Sequence, residues 1–234
     1  MNPPIQIKIN KWMGRLGNNI IQLVNTIHIA IELGCNILVP EHEFLNTKII
    51  TINKKSIQNV LEYTNITDKF EFFYRTKINN NYVNPDIFLK NSKKVKKILR
   101  NIFVIKSEDC IKAHQNDLHI HIRGGDNFTD RPHPVYIQPP LKFYTEIINS
   151  QKWSKIYIIS EDRKNPCVDK LVEMYPKIQI KSSTLINDIK VIIGAFNIVA
   201  SFGTFISSIL RFSNNVKQVF LPSNNTEYYD ETII

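Results

Sequence analysis

Four runs of residues in this chain combine side chains able to bind anions or to move protons. His121, Ile122, Arg123, Gly124, Gly125 and Asp126 follow one another without interruption. Arginine carries a rigid fork of N–H donors matched to phosphate oxygens, and glycine lets a backbone approach a ligand closely or take a positive φ. The run reads as a phosphate cradle, although Arg beside Gly-Gly also makes an ordinary turn. In Ser160, Glu161, Asp162 and Arg163, hydroxyl and carboxylate groups could accept hydrogen bonds from a nucleobase or a ribose, or could cap a helix that follows. Ser201, Phe202, Gly203, Thr204 and Phe205 offer Ser201 or Thr204 as a helix cap, and the N–H groups of that helix start would suit a diphosphate. Near the start of the chain, Gly14, Arg15, Leu16, Gly17, Asn18 and Asn19 lack both the Lys-Ser/Thr of an NTP-binding loop and the third glycine of a dinucleotide fingerprint. Neither an ATPase nor a dehydrogenase is favoured.

Hydropathy places these runs on elements. Residues 5–9 alternate as a strand does, apolar positions recur at helical spacing over 20–33, Gly34 ends that run, and 36–39 reads as a second buried strand. The result is a β-α-β unit with the Gly14 to Asn19 run between its first two elements. From about 41 to 115, Asn/Lys-rich loops surround mixed segments at 70–74 and 95–104, and no topology is assigned. Beyond 116 the alternation is regular. Strands are expected at 118–122, 155–159, 177–180, 197–200 and 218–221, with helices at 141–150, 167–175, 186–195 and 204–212 between them. Short β-branched strands separated by helices imply a parallel sheet covered on both faces. Ligands of such sheets bind beyond the carboxyl ends of the strands, which is where the other three runs fall.

Composition narrows the partners. The chain has 234 residues, 43% of them hydrophobic, enough to bury a core in one large domain or two small ones. No apolar stretch approaches the roughly 18 to 20 residues that cross a bilayer, and the first residues do not resemble a secretory signal. The chain reads as cytoplasmic, or as a domain trimmed from its anchor. Cys35, Cys110 and Cys167 are scattered and unaccompanied by histidines, so neither a disulfide framework nor a metal site is expected. The Asn-x-Ser/Thr matches at Asn65, Asn127 and Asn224 are background without secretion. A net charge of +9 points to an anionic partner. The densest basic run, 93–100, interleaves Val95, Ile98 and Leu99, so it reads first as a solvated helix face and second as a phosphate-binding patch.

Taken in order, the motifs resemble the α-1,2-fucosyltransferase family, and more loosely the α-1,6- and protein O-fucosyltransferases. The family's Gly-Arg/Gly-Leu-Gly-Asn-Gln turn is matched by Gly14 to Asn19, with Asn19 in the Gln place. Its His-x-Arg-Arg-Gly-Asp segment is matched by His121 to Asp126, and its Gly-Thr-Phe block by Gly203, Thr204 and Phe205. The resemblance implies an α/β fold of the two-lobed GT-B kind, with two Rossmann-like halves and a reduced N-terminal lobe. Residues 1–115 would form the acceptor side, and 116–234 the lobe that binds a nucleotide sugar. It also implies inverting transfer from GDP-fucose to a hydroxyl of an acceptor glycan, with no metal and no other cofactor. Arg123 would hold the β-phosphate and stabilise the departing nucleotide, and His121 would line the donor site with Gly124, Gly125, Ser160, Asp162, Ser201, Gly203, Thr204 and Phe205. Gly14, Arg15, Gly17 and Asn18 would form an acceptor or structural loop.

Inversion calls for a base, and Asp126, Glu161, Asp162 and Asp188 stand near the motifs. Asp126 lies closest to the phosphate loop, where it could instead brace that loop by accepting backbone N–H bonds. The family's second arginine is Gly124 here, which leaves room for a different nucleotide sugar. The reading from another class is a non-catalytic glycan- or nucleic-acid-binding module using the 93–100 run, with affinity that falls steeply in salt. The sequence carries no nucleic-acid motif and no aromatics interleaved with its basic residues, so no nucleic-acid partner is expected. Ile, Asn and Lys, all with A/T-rich codons, suit a large DNA virus or a microbe that glycosylates in its cytoplasm.

Overall fold

The computed structural model describes residues 5–52, 59–62, 86–131, 137–181 and 184–222. The mixed segment at 70–74 and the acceptor matches at Asn65 and Asn224 lie outside them. The chain divides into two compact units, the second beginning at Lys106, ten residues before the division expected from the sequence. The helical turn Ser107–Asp109 packs with a helix of the second unit, and Ala113 N donates to the Gly194 carbonyl of that helix at 2.8 Å.

In the first unit, β1 (Ile5–Lys8) leads into α1 (Leu16–Leu33), then β2 (Ile37–Leu38), β3 (Ile49–Ile50), β4 (Asn59–Glu62) and α2 (Asp86–Ile102). The sheet order is β3-β2-β1-β4, with β1 parallel to β2 and β4 and β3 antiparallel to β2. The β-α-β unit read from the sequence is β1-α1-β2. Gly34 closes α1 at φ 64°, where its N–H bonds back to the last turn, and a side chain there would strain the backbone. On α2, Val95, Leu99 and Ile102 are buried while Lys90, Lys93, Lys94 and Lys97 face outward. The basic run is thus the solvated side of an amphipathic helix.

The second unit runs β5 (Asp117–His121), α3 (Leu141–Asn149), β6 (Lys155–Ile159), α4 (Pro166–Met174), β7 (Gln179–Ile180), α5 (Leu185–Gly194), β8 (Asn197–Val199), α6 (Thr204–Leu210) and β9 (Gln218–Phe220). All five strands are parallel in the order β7-β6-β5-β8-β9, a Rossmann-like arrangement with β5 at its centre. Every residue of β5 is buried. Leu118, Ile120 and Ile122 alternate onto one face and join Tyr144, Ile147 and Ile148 of α3 and Val168 and Leu171 of α4 in a single apolar cluster. His119 and His121 take the opposite face, where the His121 ring meets Phe205 of α6 and α5 packs on α6. Helices on both faces are what parallel pairing demands. Both units are therefore α/β and Rossmann-like, as expected. Among the described residues no helix is long and apolar enough to cross a membrane.

Tyr144 is fully buried in that cluster, and its hydroxyl has no hydrogen-bond partner among the described residues. Burial pushes its phenol pKa well up. An unpaired buried hydroxyl costs about 1–3 kcal/mol, so Tyr144→Phe should leave the fold unchanged and raise its stability by about 1 kcal/mol. Urea unfolding at constant m-value measures this.

Candidate functional site

The strand order reverses between β5 and β8: the chain steps outward from β5 through β6 to β7, then returns to place β8 on the other side of β5. In open parallel sheets ligands bind beyond the carboxyl ends of the strands at such a reversal. Arg123 follows β5, and Ser201 to Gly203 follow β8, so two of the sequence runs meet at the reversal.

The meeting is close. A Cβ built on Gly203 would lie 2.5 Å from Nη1 of Arg123, and Gly203 has φ 131°. Glycine is required here twice over, by its backbone angle and by the guanidinium packed against it. On its other side, Nη2 of Arg123 donates to Oδ1 of Asp126 at 3.2 Å, a pair with side-chain exposures of 22% and 50%. Asp126 thus engages the guanidinium directly. Of the two roles read from sequence, this resembles bracing, with the arginine side chain as the partner rather than backbone N–H groups.

Beneath the arginine, Ser201 Oγ lies 2.7 Å from Nδ1 of His121, with both groups buried. Burial, and after it the nearby Arg123 charge, lowers the His121 pKa to about 3. The imidazole is neutral at physiological pH and adds no positive charge of its own. Deeper on the same face, the His119 ring lies 4.9 Å from that of Tyr157, and burial with the Lys181 charge lowers the His119 pKa to about 4.

The β6-α4 loop completes the site. Asp162 Oδ2 accepts from Gly125 N at 3.1 Å and its Oδ1 from Lys164 N at 3.0 Å. A Cβ on Gly124 would collide with the Asp162 carboxylate, and one on Gly125, which has φ 59°, with that of Glu161. Ser160 Oγ donates to the Asp162 carbonyl at 2.8 Å. The structure corrects two capping expectations. Asn165, not Ser160 or its neighbours, caps α4 by accepting from Cys167 N, because Pro166 behind it suits the first helical position. Gly203, not Ser201 or Thr204, stands at the cap position of α6 and makes no side-chain cap bond. Thr204 is the first helical residue, with Phe205 beside it. Asp188 lies in the first turn of α5, which follows the edge strand β7. Sequence reading missed Asn165, although Asn before Pro is a helix-start signal.

In the first unit, β1 stands between β2 and β4, so the loop after β1 occupies the corresponding reversal. Gly14 (φ 69°) and Arg15 are exposed in that loop. Gly17 and Asn18 belong instead to the first turn of α1, which starts four residues before the helix read from sequence. Asn19 ties the loop down: its Nδ2 donates to the Met13 carbonyl at 2.8 Å, and its Oδ1 lies 3.3 Å from Nε2 of His42. Gln22 adds bonds to Met13 N and the Lys11 carbonyl. Among the described residues, no group of three or more acidic, histidine or cysteine side chains could hold a metal ion.

No family model matches this chain, and no curated protein sequence matches it. Among solved structures it is similar to POFUT1 in complex with GDP, at 12% identity and a TM-score of 0.47, over 94% of this chain and 98% of that one. It is similar to the fucosyltransferase NodZ from Bradyrhizobium at 9% identity and a TM-score of 0.46, over 91% and 94%. The E. coli heptosyltransferase WaaC with ADP gives 11% identity and 0.46, over 94% and 92%.

Two outcomes follow from the geometry. Gly203→Ala places a methyl group against the guanidinium and strains the backbone, and should lower stability by about 1–3 kcal/mol, visible as a drop in Tm. The histidines give a pH dependence. His121 and His119 have folded pKa values below the ordinary 6.5, so the unfolded chain binds the extra protons. Their contribution is complete above about pH 6.5 and is lost as pH falls through about 4 and then about 3. Urea midpoints should decline across that window, and less steeply in His121→Gln.

Proposed function

We propose that this chain is an inverting glycosyltransferase of the GT-B kind whose second unit holds the diphosphate of a nucleotide sugar, GDP-fucose by the motif resemblance. One observation carries the reading: a guanidinium at the tip of a buried parallel strand, at the strand-order reversal, boxed between Gly203 and Asp126. A fixed cation there costs no reorganisation when charge develops. In the reaction the acceptor oxygen forms the new bond to the anomeric carbon as the bond from that carbon to the phosphate oxygen breaks. The electron pair leaves with the nucleoside diphosphate, and Arg123 stabilises the growing charge on the β-phosphate. The hydroxyl proton passes to a base, for which Glu161 and Asp162 beside Gly124 and Gly125 are candidates with Asp126. Asp162 is the weakest of the three, because both its carboxylate oxygens already accept backbone N–H bonds. Neutral His121, fixed by Ser201, shapes the floor under the arginine. Acceptor recognition falls to the first unit, with Gly14 and Arg15 in its exposed loop. The charge that a metal would neutralise in other enzymes falls on Arg123 in this reading.

A second donor class is favoured by one observation. The space where a side chain at position 124 would begin is filled by the Asp162 carboxylate, so the site carries one guanidinium and an acid where the resembled family has paired arginines. Donor choice is therefore tested rather than inherited. GDP should raise Tm more than UDP, dTDP or CMP, since a ligand bound only to the native state stabilises it. Preference for UDP would replace the donor while keeping the class. Arg123→Ala should keep the far-UV spectrum and lose about 100-fold or more of donor hydrolysis and transfer, and EDTA should leave the parent rate unchanged. Near-parental turnover in Arg123→Ala would refute the phosphate role.

A further inference from the structure

We infer that Asn165 is the residue that sets the position of Arg123, acting through the backbone of the β5 loop from the far side of Gly124. The inference rests on the phosphate-binding reading of Arg123 and adds the means by which that side chain is held.

The β5-β6 ladder ends with Ile122 N donating to the Ile159 carbonyl at 2.9 Å. Beyond it both strands become loops. Asn165 takes over: its Nδ2 donates to the Arg123 carbonyl at 3.0 Å, and its Oδ1 accepts from Cys167 N at 3.0 Å. The side chain is 1% exposed, so both bonds form away from water, where an unmade partner is costly. Its orientation is unambiguous, because one end faces a carbonyl and the other an N–H. Pro166 restricts Asn165 to extended backbone, matching its φ −74° and ψ 115°. The anchor is therefore rigid before it touches the arginine loop. Two residues on, the Gly125 N–H is held by Asp162. The peptide groups on both sides of Gly124 are thus pinned to one loop, with Gly124 at φ −114° and ψ −130° between them. The Arg123 carbonyl faces Asn165, while its side chain reaches Gly203 beyond β8. Moving that carbonyl moves the guanidinium.

The chemistry of Asn165 allows a clean separation. Aspartate caps a helix as well as asparagine does, so Asn165→Asp keeps the bond from Cys167 N and replaces the donor to Arg123 with a second acceptor. Thr184→Ala, which removes the cap that Asn187 N bonds on α5, controls for lost stability alone. Two readouts are needed. Phenylglyoxal labelling of Arg123, mapped by mass spectrometry, reports the guanidinium without any ligand. It should run several-fold faster in Asn165→Asp than in the parent or in Thr184→Ala. GDP affinity by calorimetry should fall about tenfold in Asn165→Asp, equivalent to about 1.4 kcal/mol. It should fall no further when the change is added to Arg123→Ala, because residues acting through one another are not additive. Unchanged labelling of Arg123 would overturn the inference, as would a full additional loss of affinity in the double variant. If Arg123→Ala itself binds GDP normally, the phosphate reading fails and the labelling rates alone decide whether Asn165 positions the arginine.

Discussion

A parallel sheet must hand its strands over to loops at one end, and the backbone groups there lose their ladder partners. In the second unit this constraint organises the site. The β5 loop cannot be satisfied by β6 beyond Ile159, so side chains of the β6-α4 loop supply the bonds instead. The same loop places Arg123 beside the start of α6, where β8 has delivered Gly203. The arginine is thus fixed by its carbonyl on one side and by its guanidinium on the other.

The electrostatics follow from burial. The positive charge at the strand end comes from Arg123 and not from the imidazole beside it, because His121 is held neutral by burial and by Arg123 itself. The Ser201 hydroxyl, 2.7 Å away, gives the imidazole a partner without adding charge. Asp126, half exposed at the rim, offsets part of the guanidinium's charge and competes with any incoming anion for the same N–H groups. Glu161 and Asp162 lie against the two glycines, so the loop carries carboxylates at Gly124 and Gly125 and a cationic fork at Gly203. That polarity is local and owes little to the chain's overall positive charge, much of which sits on the outward face of α2.

Much of the second unit could be read from sequence because its signals were local. β6 was expected at 155–159 and is Lys155–Ile159, since a run of β-branched residues bounded by polar ones has few other homes. Helix α3 ends one residue short of its expected end and α4 starts one residue early. The first unit was harder. Gly17 disguised the start of α1, because glycine reads as a turn residue although here it is buried in the first helical turn. Residues 93–100 of α2 were read as a helix face, but its earlier turns were not, because polar Asn91 and Ser92 share the inner face with Val95 and Leu99. Asn91 is engaged by Glu32 of α1, a tertiary pairing that no window of sequence reveals. The three later runs follow their strands as expected, whereas most of the Gly14 to Asn19 run lies in the first turn of α1. Their mutual contacts were not legible, since Arg123 with Gly203 and Asn165 with the Arg123 carbonyl join segments far apart in the chain.

Contact between Gly203 and Arg123 also constrains how the sequence can vary. A side chain at 203 has no room while a guanidinium occupies the adjoining space. The constraint runs one way, because a shorter residue at 123 leaves a partly exposed space that water can enter. In any set of kindred chains position 203 should depart from glycine only where position 123 has already changed, a statistical footprint left by an absent methyl group.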